Sequence, residues 1–295
     1  MLINPFSVYR YLRFVVNAVS SLCYKPFPLP ANPTLQPKDV TVIIPTICGP
    51  CGEEPECLKD TLQSCLDTRP SQVIIVTVNK DKESISKLAA SINPAVQVLS
   101  IPRPNKRHQV SKAIRKVRTS ITVIADDDVK WPPELLRYIL APLERRDVGA
   151  VGTCQRVRRN EKLGIIGKMW EYLGACYIER RNFEIRATSN IDGGLSCLSG
   201  RTAAIRTLIL KNKRFIIAYC EEKWSGKILN TDDDNFITRW LVTHGWKIAI
   251  QASPEAEVQT ILETNPRFLY QCLRWARSNW RSNITSTIFE RHVWR

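Results

Sequence analysis

From Asp39 onward, apolar and polar positions alternate in blocks. The run VTVIIP (Val40 to Pro45) precedes the helical pattern LKDTLQSCL, QVIIVTV precedes SISKLAASI, VQVLSIP precedes VSKAIRKV, and SITVIA closes the series. Short strand-like runs separated by segments of helical period predict parallel strands joined by crossover helices. In an open sheet of that kind the ligand crevice lies outside the carboxyl ends of the strands. Four segments are therefore expected to meet there: Pro45 onward, Asn79 and Lys80, Pro102 to Arg107, and Asp126 to Asp128.

After Trp131 the pattern loosens into longer helical stretches with few strands: PELLRYILAPLERR, EKLGIIGKMWEYLGACYIERR, DNFITRWLVTHG and PRFLYQCLRWARSNW. Before Asp39 it differs again. The first 38 residues contain no acid, and Phe6, Tyr9, Arg10, Arg13, Val16 and Leu22 are spaced for an amphipathic helix over residues 1–25. Such a helix either lies on an anionic membrane surface or packs on the domain. Five prolines between Pro26 and Pro37 cannot continue a helix, so 26–38 reads as an extended linker.

Composition adds the class of partner. The chain has 295 residues, 44% of them hydrophobic, enough to bury a sizeable core, and 43 Lys and Arg against 28 Asp and Glu leave a formal charge of +15. That balance implies an anionic partner, namely nucleic acid, an acidic lipid surface or a phosphate-bearing substrate. No zinc-finger spacing or RNP-like aromatic motif accompanies the charge, so nucleic acid is not an expected partner. Arg10 and Arg13 interrupt the N-terminal apolar segment, and its longest uncharged part, Phe14 to Tyr24, is far short of a bilayer span; neither a secretory signal nor a transmembrane helix is expected. Ten scattered cysteines lack the dense spacing of a disulfide scaffold, which implies a reducing compartment and mostly buried thiols.

Two of those cysteines form CGPC, Cys48 to Cys51, in a strand-then-turn setting that resembles the redox pair of thioredoxin-like proteins. Glu53, Glu54 and Glu56 follow and oppose a thiolate by like-charge repulsion, and Gly49, Pro50 and Gly52 read as turn formers.

The carboxylates carry more chemistry. Asp126 to Asp128 follow SITVIA, and three adjacent acids need compensation; Mg²⁺ is typically held by one or two carboxylates and completed by phosphate oxygens and water. The alternative is that one Asp caps the helix opening at Pro132 and Pro133. RPNKRHQ, Arg103 to Gln109, places cations where a helix begins, a setting that favours phosphate. In NTDDDNFITRWLVTHGW, Asp232 to Asp234 stand at the N-terminus of a helix that Gly245 ends, where the dipole favours an ionised carboxylate able to accept a proton from a sugar hydroxyl. In QCLRW, Gln271, Arg274 and Trp275 project from one side of a helix, and Ser278 and Arg281 extend the stripe. A guanidinium binds diphosphate and an indole stacks on a sugar ring, whereas the motif by itself reads first as a core Trp beside a surface Arg.

Taken in order, VTVIIPT, the NKR cluster, the DxD in ADDDV, the segment CLSGRTAAIR, the acidic TDDDN and the QxxRW helix resemble processive family 2 glycosyltransferases, the hyaluronan, chitin and cellulose synthases. The likeness is strongest to hyaluronan-synthase-like and fungal polysaccharide-synthase-like members. It implies an α/β GT-A fold, a mixed, mostly parallel sheet flanked by helices. The catalytic domain is then expected over 39–260, with QxxRW and membrane-proximal helices over 261–295. It implies transfer of a sugar from a UDP-sugar to a glycan acceptor, with Mg²⁺ or Mn²⁺, by a membrane-associated protein whose catalytic domain is cytoplasmic. By position, Pro45 and Thr46 would line the uridine pocket, Lys106 and Arg107 would contact the diphosphate, and Asp126 and Asp128 would serve nucleotide and metal. Gly200 and Arg201 would lie beside donor sugar and acceptor, and Gln271, Arg274 and Trp275 would close over diphosphate and acceptor. Asp234 would be the base, supported by Asp233.

Three features depart from the family pattern. CGPCGEEPE stands where relatives carry a short Tyr-Asn-Glu-like segment, leaving the acidic uridine contact to Glu53 or Glu54; and Asn79 and Lys80 stand where relatives carry a base-holding Asp, with Asp81 the substitute. The synthases carry transmembrane helices beyond QxxRW, whereas this sequence stops at Arg295, so it is either a fragment or unable to translocate a polymer alone.

Overall fold

The computed structural model describes residues 4–47 and 55–291; Cys48, Cys51, Glu53 and Glu54 lie outside them. The strands are β1 Val40–Pro45, β2 Gln72–Val78, β3 Gln97–Ile101, β4 Ile121–Ala125, β5 Val129–Lys130, β6 Val148–Thr153, β7 Gln155–Val157, β8 Thr202–Arg206, β9 Lys223–Trp224, β10 Lys227–Ile228, β11 Lys247–Gln251 and β12 Val258–Thr260. The helices are α1 Pro5–Cys23, α2 Pro55–Asp67, α3 Lys82–Ile92, α4 Lys106–Ile114, α5 Leu135–Leu140, α6 Ile165–Ile191, α7 Thr207–Leu210, α8 Lys213–Glu221, α9 Asp233–Thr243 and α10 Arg267–Ile284.

Seven strands form the main sheet in the order β11-β6-β8-β4-β1-β2-β3, parallel except for β8, which runs antiparallel to both β4 and β6. Side chains alternate between its faces. Val42 and Ile44 join a core with Leu58 and Leu62 of α2 and Ile139 of α5, while Ile43 joins a second core with Val110 and Ile114 of α4 and Phe215 of α8. A three-stranded sheet, β5-β12-β7, and the β9–β10 hairpin complete the strands.

The four apolar runs after Asp39 are β1 to β4. The second half holds more sheet than its pattern suggests, since β6, β8 and β11 also belong to the main sheet. The sequence of β6, VGAVGT, carries two glycines, which are depleted in strands, so its pattern is weak. Both are required by close approach: a Cβ on Gly149 would stand 2.8 Å from Trp246 Cβ, and one on Gly152 would stand 2.8 Å from Leu198 Cδ1.

Helix α1 packs on α6, with Phe14 and Phe183 stacked at 6.3 Å, yet leaves Phe6, Tyr9, Leu12 and Leu22 exposed. The proline-rich segment lies along the domain: Tyr24 donates its hydroxyl proton to Ile250 O, Phe27 O accepts from Gln251 Nε2 (3.0 Å), and the amides of Thr34 and Leu35 donate to Glu144. Of the eight described cysteines only Cys65 and Cys154 are buried, fewer than the sequence suggests.

Candidate active site

The antiparallel strand β8 brings distant residues together. Ala125 pairs with Thr202, and the next amide, Asp126 N, donates to Arg201 O at 3.1 Å. The acids that follow β4 therefore lie beside Gly200 and Arg201, which precede β8. On the other side, Gln109 of α4 is buried, and its Nε2 donates to Thr46 O (2.8 Å) and Val76 O (2.6 Å), fixing the ends of β1 and β2 to the start of α4. Asn105 caps that helix, its Oδ1 accepting from His108 N at 3.1 Å.

Lys106, the first residue of α4, places Nζ 2.6 Å from Asp126 Oδ1 and 3.3 Å from Asp233 Oδ2. Burial alone favours the neutral amine, but Asp126, Asp233 and Asp234 outweigh it and hold Lys106 well above the usual lysine range. Asp128 is pushed up to about 7 by burial and then by Asp126, against partial compensation from Arg201, and its buried Oδ1 has no hydrogen-bond partner among the described residues.

Asp232 adopts a left-handed conformation (φ 64°), which Asp tolerates better than most residues, and so turns the chain into α9. Asp233 and Asp234 are the first residues of that helix. Burial and then Asp233 raise the Asp234 pKa, while Lys106, the amide of Asn235 and the Cys197 thiol act to lower it. A carboxylate held near its proton in this way is suited to accepting one. Gly200 leaves the space in front of it open, because a Cβ there would stand 3.1 Å from Lys106 Nζ and 3.6 Å from Asp234 Cβ.

Helix α10 closes the far side. Trp275 packs against the Tyr177 ring (5.0 Å) and under the Arg201 guanidinium (5.3 Å). Arg201 is itself fixed by donation from Nε to Thr260 Oγ1 (2.9 Å) and from Nη1 to Gln155 Oε1 (3.1 Å). Gln271 Oε1 is buried without a hydrogen-bond partner among the described residues.

These groups line one cleft of about 790 Å³, a size suited to a ligand larger than a monosaccharide. Pro45, Thr46, Lys106, Asp126, Asp128, Gly200, Arg201, Asp233, Asp234, Gln271, Arg274 and Trp275 all face it, with Gln109, Arg181 and Cys197, which sequence reasoning did not single out. Only the position of Gln109, three residues after Lys106 on the same helix, offered a signal.

Arg107 is the exception. It is fully buried and does not line the cleft; its guanidinium donates to Tyr219 O (2.8 Å), Thr231 O (2.7 Å), Asp232 O (3.2 Å) and Glu222 Oε2 (2.6 Å). Successive helical residues point about 100° apart, so Lys106 faces the cleft and Arg107 the interior. The expected contact of Arg107 with a diphosphate is thus corrected. Asn79, Lys80 and Asp81 form a turn after β2 and do not line the cleft.

A family model described as "Glycosyltransferase like family 2" matches residues 37–278. The chain is a family 2 glycosyltransferase. It is 52% identical over 288 residues to a "Type 2 glycosyltransferase" of Gibberella zeae, covering 97% of this chain and 54% of that protein. It is 51% identical over 288 residues to one of Zymoseptoria tritici, covering 97% of this chain and 59% of that protein. It is also 33% identical over 267 residues to "NDP-glycosyltransferase ltbB" of Aspergillus luteorubrus, covering 88% and 64% respectively. This family 2 glycosyltransferase thus spans little more than half the length of the first two. Its fold is GT-A: the solved structure titled "Mannosyltransferase PcManGT from Pyrobaculum calidifontis in complex with GDP-Man and Mn2+" superposes with a TM-score of 0.63 at 19% identity, over 92% of this chain and 71% of that one.

Proposed function

We propose that this family 2 glycosyltransferase moves a sugar from a UDP-sugar to a hydroxyl of a growing glycan, with inversion, in the manner of the processive synthases. The observation that carries the reading is the convergence of Asp128, Asp234 and Trp275, each from a different part of the chain, on one cleft. In the proposed reaction the acceptor oxygen bonds to the anomeric carbon on the face opposite the diphosphate, and the carbon–oxygen bond to UDP breaks. Asp234 takes the hydroxyl proton, and UDP leaves with the bonding pair. Arg274, which faces the cleft, meets the negative charge that develops on the departing group. Trp275, with its ring packed on Tyr177, supports a sugar of the acceptor.

The acids suit a divalent cation, Mg²⁺ or Mn²⁺. Asp128 is half-buried with one buried oxygen, Oδ1, that no described residue pairs, while Asp126 stands beside it bonded to Lys106. One or two carboxylates, completed by diphosphate oxygens and water, are the usual set for such a cation. When bound there, the ion neutralises charge on the diphosphate.

No described helix is long and apolar enough to cross a membrane. Helices α1, α6 and α10 nevertheless expose Phe6, Leu12, Ile165, Tyr172, Tyr270 and Trp280, which supports a membrane-surface location. The unpaired thiols of Cys65, Cys154, Cys176, Cys197, Cys220 and Cys272 suit a cytoplasmic placement of the catalytic domain.

The test is Asp234→Asn. General-base assistance is worth about 10²- to 10⁴-fold, so turnover is expected to fall by that order while UDP affinity is retained; unchanged turnover overturns the assignment. A panel of UDP-sugars, with GDP-mannose as comparison and product length as readout, tests donor and processivity together. Single additions in place of a polymer would indicate a non-processive enzyme.

A further inference from the structure

Behind the cleft lies a cluster of charges built on two buried arginines and two partly exposed glutamates, which the reaction does not use. Arg107 and Arg239 share Glu222, Arg107 Nη2 reaching Oε2 at 2.6 Å and Arg239 pairing with Oε1, while Arg239 Nε lies 3.3 Å from Glu290 Oε1. Arg107 is 0% exposed and Arg239 5%. Buried ion clusters are poor contributors to stability compared with apolar packing, so a geometric role explains this one better than a stabilising one.

The geometry is specific. The Arg107 fork holds carbonyls at both ends of the hairpin segment, Tyr219 O before it and Thr231 O and Asp232 O after it. Asp232 is the left-handed residue that launches α9. Helix α9 is in turn joined to α10 by polar contacts: Asp232 Oδ2 to Arg281 Nη2 (2.5 Å), Asn235 Nδ2 to Ser278 Oγ (2.8 Å) and Arg239 Nη1 to Ser282 Oγ (2.9 Å).

We propose that Arg107 is a positioning residue: through Thr231 and Asp232, with Glu222 and Arg239, it sets where Asp233 and Asp234 stand relative to the QxxRW helix, and it touches neither nucleotide nor sugar. The proposal rests on the reading of Asp234 as the base. Its test therefore includes readouts that do not depend on that reading.

Arg107→Lys keeps the charge, but one ammonium cannot reproduce a planar fork with four acceptors. Small misplacements of catalytic groups cost up to about 10²-fold, so kcat is expected to fall roughly 10- to 100-fold. UDP affinity and the donor KM stay unchanged, and backbone amide exchange quickens over residues 231–236. Glu222→Gln is expected to give a smaller change with the same division, and the double variant to lose less than the sum of the two. Loss of UDP affinity in step with kcat, with exchange unaltered, would make Arg107 a nucleotide ligand and overturn the proposal. Unchanged kcat and unchanged exchange overturn it equally. If Arg107→Lys does not fold, Glu222→Gln carries the same three readouts. Should Asp234→Asn leave turnover intact, the base assignment falls by itself, and UDP affinity with exchange over 231–236 still judges Arg107.

Discussion

Strands β1 to β4 and the helix pair α9–α10 face each other across the cleft, and different forces hold them. Val42, Ile43, Ile44, Ile74, Ile75 and Val123 are completely buried, so the strand side is locked by apolar contact on both faces of the sheet. The helix pair meets instead through Asn235–Ser278, Arg239–Ser282 and Asp232–Arg281. Apolar burial is non-directional and tolerates small shifts, whereas hydrogen bonds and ion pairs fix angles. The strand side, proposed to hold the nucleotide, is thus stable in bulk. On the side proposed to carry the base and the QxxRW residues, α9 is anchored by Phe236, Ile237 and Leu241 in the core, and its setting against α10 is fixed by a few directional bonds.

Stability should separate the two sides first. Ile44→Ala opens a cavity in the sheet core and is expected to cost about 2–5 kcal/mol in denaturant unfolding. The surviving folded fraction should bind UDP normally, and weakened binding per folded molecule would show that the core does more than support.

The next effect is one of pH. Asp128 holds its proton up to about 7, well above the ordinary value near 3.9 for an unfolded chain. Between those values the folded state binds more protons than the unfolded state, so this group lowers stability as pH rises from about 4 to about 7 and has no further effect above that. In metal-free protein, Asp128→Asn should flatten that part of the stability profile. A slope equal to that of the parent would remove the burden from Asp128.

The smallest change is the most informative about the helix pair. Ser278→Ala leaves Asn235 Nδ2 without its partner and is expected to cost about 1–3 kcal/mol. If directional bonds place the base, turnover per folded molecule also falls while UDP affinity does not. A stability loss with full turnover would show that α9 is held adequately by Phe236 and Ile237 in the core.

Much of this arrangement was legible in the chain. The apolar runs at Val40, Gln72, Gln97 and Ile121 announced the first four strands, and the acids after Ala125 and before Phe236 announced where chemistry would gather. The strand Val148–Thr153 was hidden by its glycines, which are there because Trp246 and Leu198 press against it. The strand Thr202–Arg206 was hidden by its brevity and its two alanines. Lys106 and Arg107 looked equivalent as neighbouring cations, and nothing local told which would meet the cleft.

The sequence by itself determined the elements, the alternation that buries both faces of the sheet, and the types of side chain available at the strand ends and helix starts. Periodicity is local, and it assigns each residue a face. Only the tertiary structure decided what each face meets: the antiparallel insertion of β8 beside β4 set Arg201 next to Asp126, and the fork of Arg107 drew the start of α9 toward α4. Those outcomes depend on register between segments far apart in the chain, and register is settled by the packing of the whole core together rather than by any segment alone.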